Sequence, residues 1–287
     1  MAVDAKELRT EIAGLDALEE NVTAKRPFAQ KLWSRVWPKL AALAIVVFLW
    51  QLVVWSHWRP DFVLPGPKAV GSTLLDQVKT GTFWEAVART MKRAVGAYAA
   101  AAVIGGVTGA LIATVKPMRT AFGALITGLQ TMPSIAWFPL AVLLFKLSES
   151  AIAFVVVMGA APAIANGLIS GVDHVPPLLV RAGRVLGAKR LTLFRHVILP
   201  AALPSVLGGL KQAWAFAWRS LMAAELLAPS LGRSIGADLQ FARDLNDAKG
   251  LFASMVVLLV IGLLVDGLFG AADHALRRRW GLVDPAT

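Results

Sequence analysis

The sequence predicts an all-α, polytopic membrane protein with about six transmembrane helices. Three observations carry that expectation. The chain is 57% hydrophobic and 16% charged, with a mean hydropathy of +0.64, outside the usual range of a soluble domain of 287 residues. Its apolar residues fall in runs close to the roughly 20 residues a helix needs to cross a bilayer. Lys and Arg collect in alternate connecting segments, which gives the spans an orientation.

Composition draws two regions, an N-terminal tail over 1–38 and a transmembrane domain over 39–287. In the tail, Leu8, Ile12, Leu15 and Leu18 fall at helical spacing among charges of both signs, which gives an amphipathic helix or a solvated tail over 1–24. Lys25, Arg26, Lys31, Arg35 and Lys39 then flank the first apolar run, 40–58, and place the N-terminus in the cytoplasm. That run reads as a retained span, because the segment before it is too long for a signal-peptide n-region and no small-x-small site follows.

Residues 59–93 form the first outside loop. Pro65, Gly66 and Pro67 force a turn, and Val70, Leu74, Leu75 and Val78 predict an interfacial helix. The loop is more basic than the orientation rule favours, with Arg59, Lys68, Lys79, Arg89, Lys92 and Arg93. The second span, 94–115, is uncharged and carries Gly105, Gly106 and Gly109 for close helix approach within the subunit. The third, 121–145, bends at a patch of Thr131, Met132, Pro133, Ser134, Trp137 and Pro139. The fourth covers 151–172. The fifth, 201–228, holds Lys211, Arg219 and Glu225, and the sixth, 251–270, holds Asp266. Six spans from an inside N-terminus return the C-terminus to the inside.

Several function classes recede. Cysteine is absent, so there is no disulfide framework or thiolate site. The net charge of +11 fits inside loops and lipid headgroups; no soluble basic domain exists to hold nucleic acid. His57, His174, His196 and His274 lie on different loops, and the catalytic motifs and phosphate loop of hydrolases are missing. No catalytic residue, metal ligand or cofactor site is expected in this chain, and any ATPase is another polypeptide. An ion-coupled secondary transporter or channel, working without an ATPase, is the alternative. Such proteins usually show buried carboxylate relays or an inverted repeat, and neither is clear here.

The loop 173–200 carries Arg181, Arg184, Lys189, Arg190 and Arg195. Val180, Val185, Leu186, Leu191 and Phe194 predict a short amphipathic helix over 180–195, bent at Gly187, with Pro200 and Pro204 restarting the chain at the membrane edge. It suits docking into a soluble partner's groove or lying on headgroups.

The same stretch resembles the cytoplasmic loop of bacterial ABC importer permeases, in which E-A-A and three residues precede a glycine, and nine more precede Ile-x-Leu-Pro. Arg181, Ala182, Gly183, Gly187, Val197, Leu199 and Pro200 stand at the matching positions, with Arg181 and Gly183 departing from the pattern. The resemblance implies that these residues and Ala188, next to the glycine, form the contact with the ATPase. VLPGPKAV, TMPSIAWFPLAVLLFKLSES and AWAFAWRSLMAAELL extend the resemblance over roughly 60–282, toward permeases for nitrate, taurine, bicarbonate and, above all, aliphatic sulfonates. The resemblance implies a type I importer permease in a bacterial inner membrane, working as a homodimer with the path at its interface. It implies two copies of a partner ATPase, which binds ATP and Mg and receives the 173–200 loop, and an extracytoplasmic binding protein that delivers substrate.

The candidate path follows from polar residues in two spans. Trp214, Trp218, Met222 and Glu225 share one broad face of the fifth span with Lys211, and Arg219 lies beside it near mid-membrane. Arg219 would give the path a positive field for a small anion, or pair with a carboxylate such as Glu225. Thr131, Pro133 and Trp137 would line the path from the bend of the third span.

Overall fold

The computed structural model describes residues 28–279; the helix expected over 1–24 lies outside them. Among the described residues every regular element is helical. Two units divide the chain, one reaching to Trp58 and the other running from Arg59 to Leu282. In the first unit, α1 (Phe28–Trp55) is a single apolar helix whose window from Val36 to Trp55 suffices to cross a membrane. It begins ahead of the composition boundary at 38.

The second unit opens with α2 (Pro67–Val78), entered through Gly66 with proline at its start, which needs no N–H there. Thr80 caps α3 (Gly81–Thr114), its Oγ1 accepting from Phe83 N–H. The expected loop 59–93 is therefore mostly helix, and Arg89, Lys92 and Arg93 belong to the same long helix as the uncharged run. The basic excess of that segment is partly neutralised by contacts described below.

The third span is not one helix. α4 (Lys116–Thr131) and the stretch from Ser134 to Phe145 make an angle of 99°. Pro133 pushes Met132 into extended backbone (φ −70°, ψ 134°), and the chain resumes as a 3-10 turn (Ser134–Trp137) and α5 (Phe138–Phe145). The proline bend expected from sequence is thus a full break.

α6 (Glu149–Asp173) is the central helix, capped by Ser148 and packed between α3 and α9 (Leu199–Leu227). Lipid tails leave little hydrophobic drive to join helices, so close approach carries the packing. A Cβ on Gly109 would lie 2.8 Å from Ala165 Cα, and Gly105 meets Ala161 in the same way, whereas Gly106 faces open space. On the opposite side, Gly167 and Gly209 cross backbone on backbone, and a Cβ on either would fall within 2.7 Å of the other's Cα. Ile152, Val155, Val156 and Leu221 fill the core between these seams.

Between α6 and α9, α7 (Pro177–Val185) is followed by α8 (Arg190–Leu193). A π turn (Phe194–Ile198) then leads directly into α9. Pro200 lacks the N–H for the ordinary backbone bond, and a wider π turn absorbs that loss without ending the helix. The prolines were expected to interrupt the chain here; instead Leu191–Leu227 is continuous. After a 3-10 turn (Pro229–Leu231), α10 (Ile235–Asp244) and α11 (Ala248–Arg279) complete the fold.

Candidate functional site

Packing sorts the polar residues of α9 into two faces. Trp214 and Met222 are buried, and Glu225 has no exposure at all. Trp214 stands in an aromatic seam, 5.2 Å edge-on from Tyr98, 6.3 Å from Phe269 and stacked 6.4 Å from the half-buried Trp218. These side chains fill the interior where α3, α9 and α11 meet. The opposite face presents Ser205, Gly208, Gln212, Ala215 and Arg219, all exposed. At about 100° per residue they align in one stripe free of large apolar groups.

Arg219 Nε donates to the Ala215 carbonyl of its own helix at 3.0 Å, and its guanidinium carbon sits 4.9 Å from the Phe216 ring centre. It forms no ion pair among the described residues. Beside it, Ser220 Oγ donates to Ser134 Oγ at 2.6 Å, over the space left by Gly159. That contact holds the break of the third span against α9. Around the break, Thr131 and Pro133 are exposed and Trp137 is half-buried.

Glu225 answers to a different arginine. Arg93 Nη1 lies 2.9 Å from Glu225 Oε1, while Arg93 Nε and Nη2 grip both oxygens of Glu149 at 2.7 Å and 2.6 Å. Arg93 Nη2 also donates to the Leu231 carbonyl at 3.1 Å. Thr90 Oγ1 is 3.0 Å from Glu225 Oε2 and accepts from Ile235 N–H at 3.0 Å, and Gly236 N–H donates to Glu225 Oε2 at 3.1 Å. The carboxylate therefore closes the N-terminus of α10, where helix N–H groups favour negative charge. One knot joins α3, α6, α9 and α10. No spacing rule connects positions 93 and 225, so the sequence offered no signal for the pair.

The 173–200 segment is a compact helix–turn–helix. Leu186 ends α7, Gly187 takes φ +82°, Gly187 N–H donates to Arg184 O and Ala188 N–H to Gly183 O, both at 3.0 Å. This is a Schellman cap, which requires left-handed backbone and hence favours glycine. The helix expected over 180–195 stops at Val185 for this reason. Gly183 is buried under the returning arm, and a Cβ there would lie 2.7 Å from Leu193 Cδ1 and 3.1 Å from Val197 Cγ2. The small residue at this departure from the family pattern thus fits the local packing. Val185 and Leu186 stand 87% exposed at the tip, beside Arg181, Arg184 and Lys189. Leu199 and Pro200 open α9, so the turn connects without interruption to the helix that bears Arg219. At the same end of the unit, Arg119 pairs with Asp173.

The family model for the inner membrane component of binding-protein-dependent transport systems matches residues 101–278. The chain belongs to this family. It is a multi-pass ABC importer permease. The nitrate import permease of Leptolyngbya laminosa is 33% identical over 81% of this permease and 85% of its own length. The taurine transport system permease of Escherichia coli is 28% identical over 84% and 87%. A riboflavin transport system permease of Chloroflexus aurantiacus is 27% identical over 90% and 96%. Among solved structures, an inward-facing methionine ABC transporter superposes with a TM-score of 0.58 at 19% identity, covering 68% of this permease and 96% of that chain. That likeness establishes the fold. Among the described residues of this permease, no group of three or more His, Cys, Asp or Glu gathers to hold a metal ion.

Proposed function

We propose that this permease pairs with a second copy of itself and forms the path of an ATP-driven importer for a small anion, a sulfonate or nitrate. The observation that carries this reading is the exposed stripe on α9, with Gln212 and Arg219 within a membrane span. A charge facing lipid at that depth costs several kcal/mol, so such a face needs a protein partner or a water-filled path. Isologous pairing of two stripes supplies both, and brings two Arg219 side chains to one path. Thr131, Pro133, Trp137 and Trp218 line or flank it. Trp214, Met222 and Glu225 support it from behind, holding α9 in place.

In this reading the exposed apolar tip at Val185 and Leu186 seats in a groove of a separate ATPase, one for each permease copy. Arg181, Ala182, Gly183, Gly187 and Ala188 shape that knob. The continuous helix from Leu191 turns its displacement into movement of Arg219 and the path. The N-terminus, the knob and the C-terminus lie in the cytoplasm, and a binding protein delivers substrate at the opposite end, where Glu149 and α10 lie. ATP and Mg stay with the ATPase.

The test is reconstitution of the permease with its ATPase and binding protein in liposomes, with uptake of ethanesulfonate, taurine, nitrate and riboflavin measured with and without ATP. ATP-dependent uptake of a sulfonate or nitrate is expected. Uptake of riboflavin alone would overturn the anion reading, and uptake by the permease without an ATPase would overturn the importer reading.

A further inference from the structure

A second charged group lies on the membrane-depth surface of α9. Lys211 Nζ is 3.0 Å from Asp266 Oδ1 of α11, with the two side chains 45% and 59% exposed. Each residue stands near the middle of its helix. The other ion pairs of the described residues lie nearer helix ends or in the buried knot. Lys211 is four residues from Ala215, about 40° around the helix, so it edges the exposed stripe on the side facing α11. Along α9 it lies about 12 Å from Arg219, at 1.5 Å per residue.

This pair does not brace the fold in the way Arg93–Glu225 does. Beneath it, α9 and α11 are already joined by Trp214 against Phe269, and by Gly262 beside Trp218. Two ions half-open at mid-depth hold a geometry that an aromatic seam holds without them. What the pair does provide is a cation whose carboxylate partner is reachable from the stripe.

We propose that Lys211–Asp266 is a displaceable anion site, the second station of the path after Arg219. The inference rests on the anion reading above. When the path is empty, Asp266 occupies Lys211 in place of a substrate anion. An arriving sulfonate or nitrate takes Lys211, and the return of Asp266 expels it, so the cation never becomes a trap. Such exchange keeps binding strong enough for entry and weak enough for exit.

The chemistry makes an asymmetric prediction. Lys211→Gln leaves Asp266 as an unopposed carboxylate beside an anion path, and like charges at close range repel. Lys211→Gln/Asp266→Asn removes both charges and with them the repulsion. Uptake of ethanesulfonate and nitrate is measured per assembled transporter in liposomes holding the complete complex, alongside thermal stability of each variant in detergent. The proposal expects Lys211→Gln to slow uptake about tenfold, equivalent to about 1.4 kcal/mol. It expects the double variant to recover most of that loss, and Asp266→Asn to lower the KM while reducing the maximal rate. A merely structural pair would lower stability or yield with uptake per transporter unchanged, and that outcome overturns the proposal. So does a double variant as slow as Lys211→Gln. If the wild-type complex moves neither anion with ATP, the anion reading itself has failed, a result distinct from failure of this site alone.

Discussion

Arg93 Nη1 sits 2.9 Å from Glu225 Oε1, and this contact joins α3 to the last turn of α9 at a point where Glu225 has no solvent exposure. Removing one partner of a buried pair leaves the other charge without compensation. Arg93→Met is expected to destabilise the permease by about 3–5 kcal/mol. Arg93→Met/Glu225→Leu should recover only part of that loss, since it removes both ions but leaves the buried Gly236 N–H without its acceptor. Thermal unfolding in detergent measures both. Equal stability of Arg93→Met and wild type would show that the knot is not what holds α9.

Arg219 offers the opposite case. Its Nε bond runs to its own helix at Ala215, and it is exposed, so Arg219→Gln should leave thermal stability near wild type. ATP-driven anion uptake by the complete complex is expected to fall about tenfold or more, through loss of the positive field that concentrates anions. Normal uptake in an assembled Arg219→Gln complex would remove this residue from the path.

Gly187 occupies left-handed backbone at φ +82°, with open space around an added Cβ. Gly187→Val therefore meets backbone strain of about 1–3 kcal/mol and no steric clash. The strain acts on the turn alone, so membrane insertion and the core stay intact. ATPase activity that no longer rises with substrate-loaded binding protein is the expected readout. Gly187→Asn should be milder, because Asn tolerates this conformation.

The crossing of α6 and α9 rests on two glycines. Gly167→Ala places a Cβ 2.6 Å from Gly209 Cα, a backbone atom that cannot rotate away. A loss of about 1–3 kcal/mol is expected, as for other overpacked cores. Gly106→Ala, on a face with nothing within 4 Å, should leave stability unchanged. Assembly yield and thermal stability compared between these two variants check the assignment of faces.

The sequence by itself determined the membrane class, the run of helices and the site of the knob. Those properties are local: apolar run length, proline and glycine positions, and the spacing that places Gly187 ahead of Leu199 and Pro200. Gly105 and Gly109 as within-subunit contacts were legible for the same reason, although only packing separated them from Gly106. The prolines were visible, but their outcomes were not. Pro133 broke a span while Pro200 was absorbed in a π turn, because neighbouring contacts decide whether a helix can re-register. The faces of α9 were decided by tertiary structure. A helical wheel groups Trp214, Met222 and Glu225 with Lys211, and only packing against Tyr98, Phe269 and Arg93 turns the first three inward. That same packing leaves Arg219, Gln212 and the Lys211–Asp266 pair at the surface, because burial is set by which helices lie alongside, and residues 93 and 225, like 211 and 266, become neighbours only in the folded bundle.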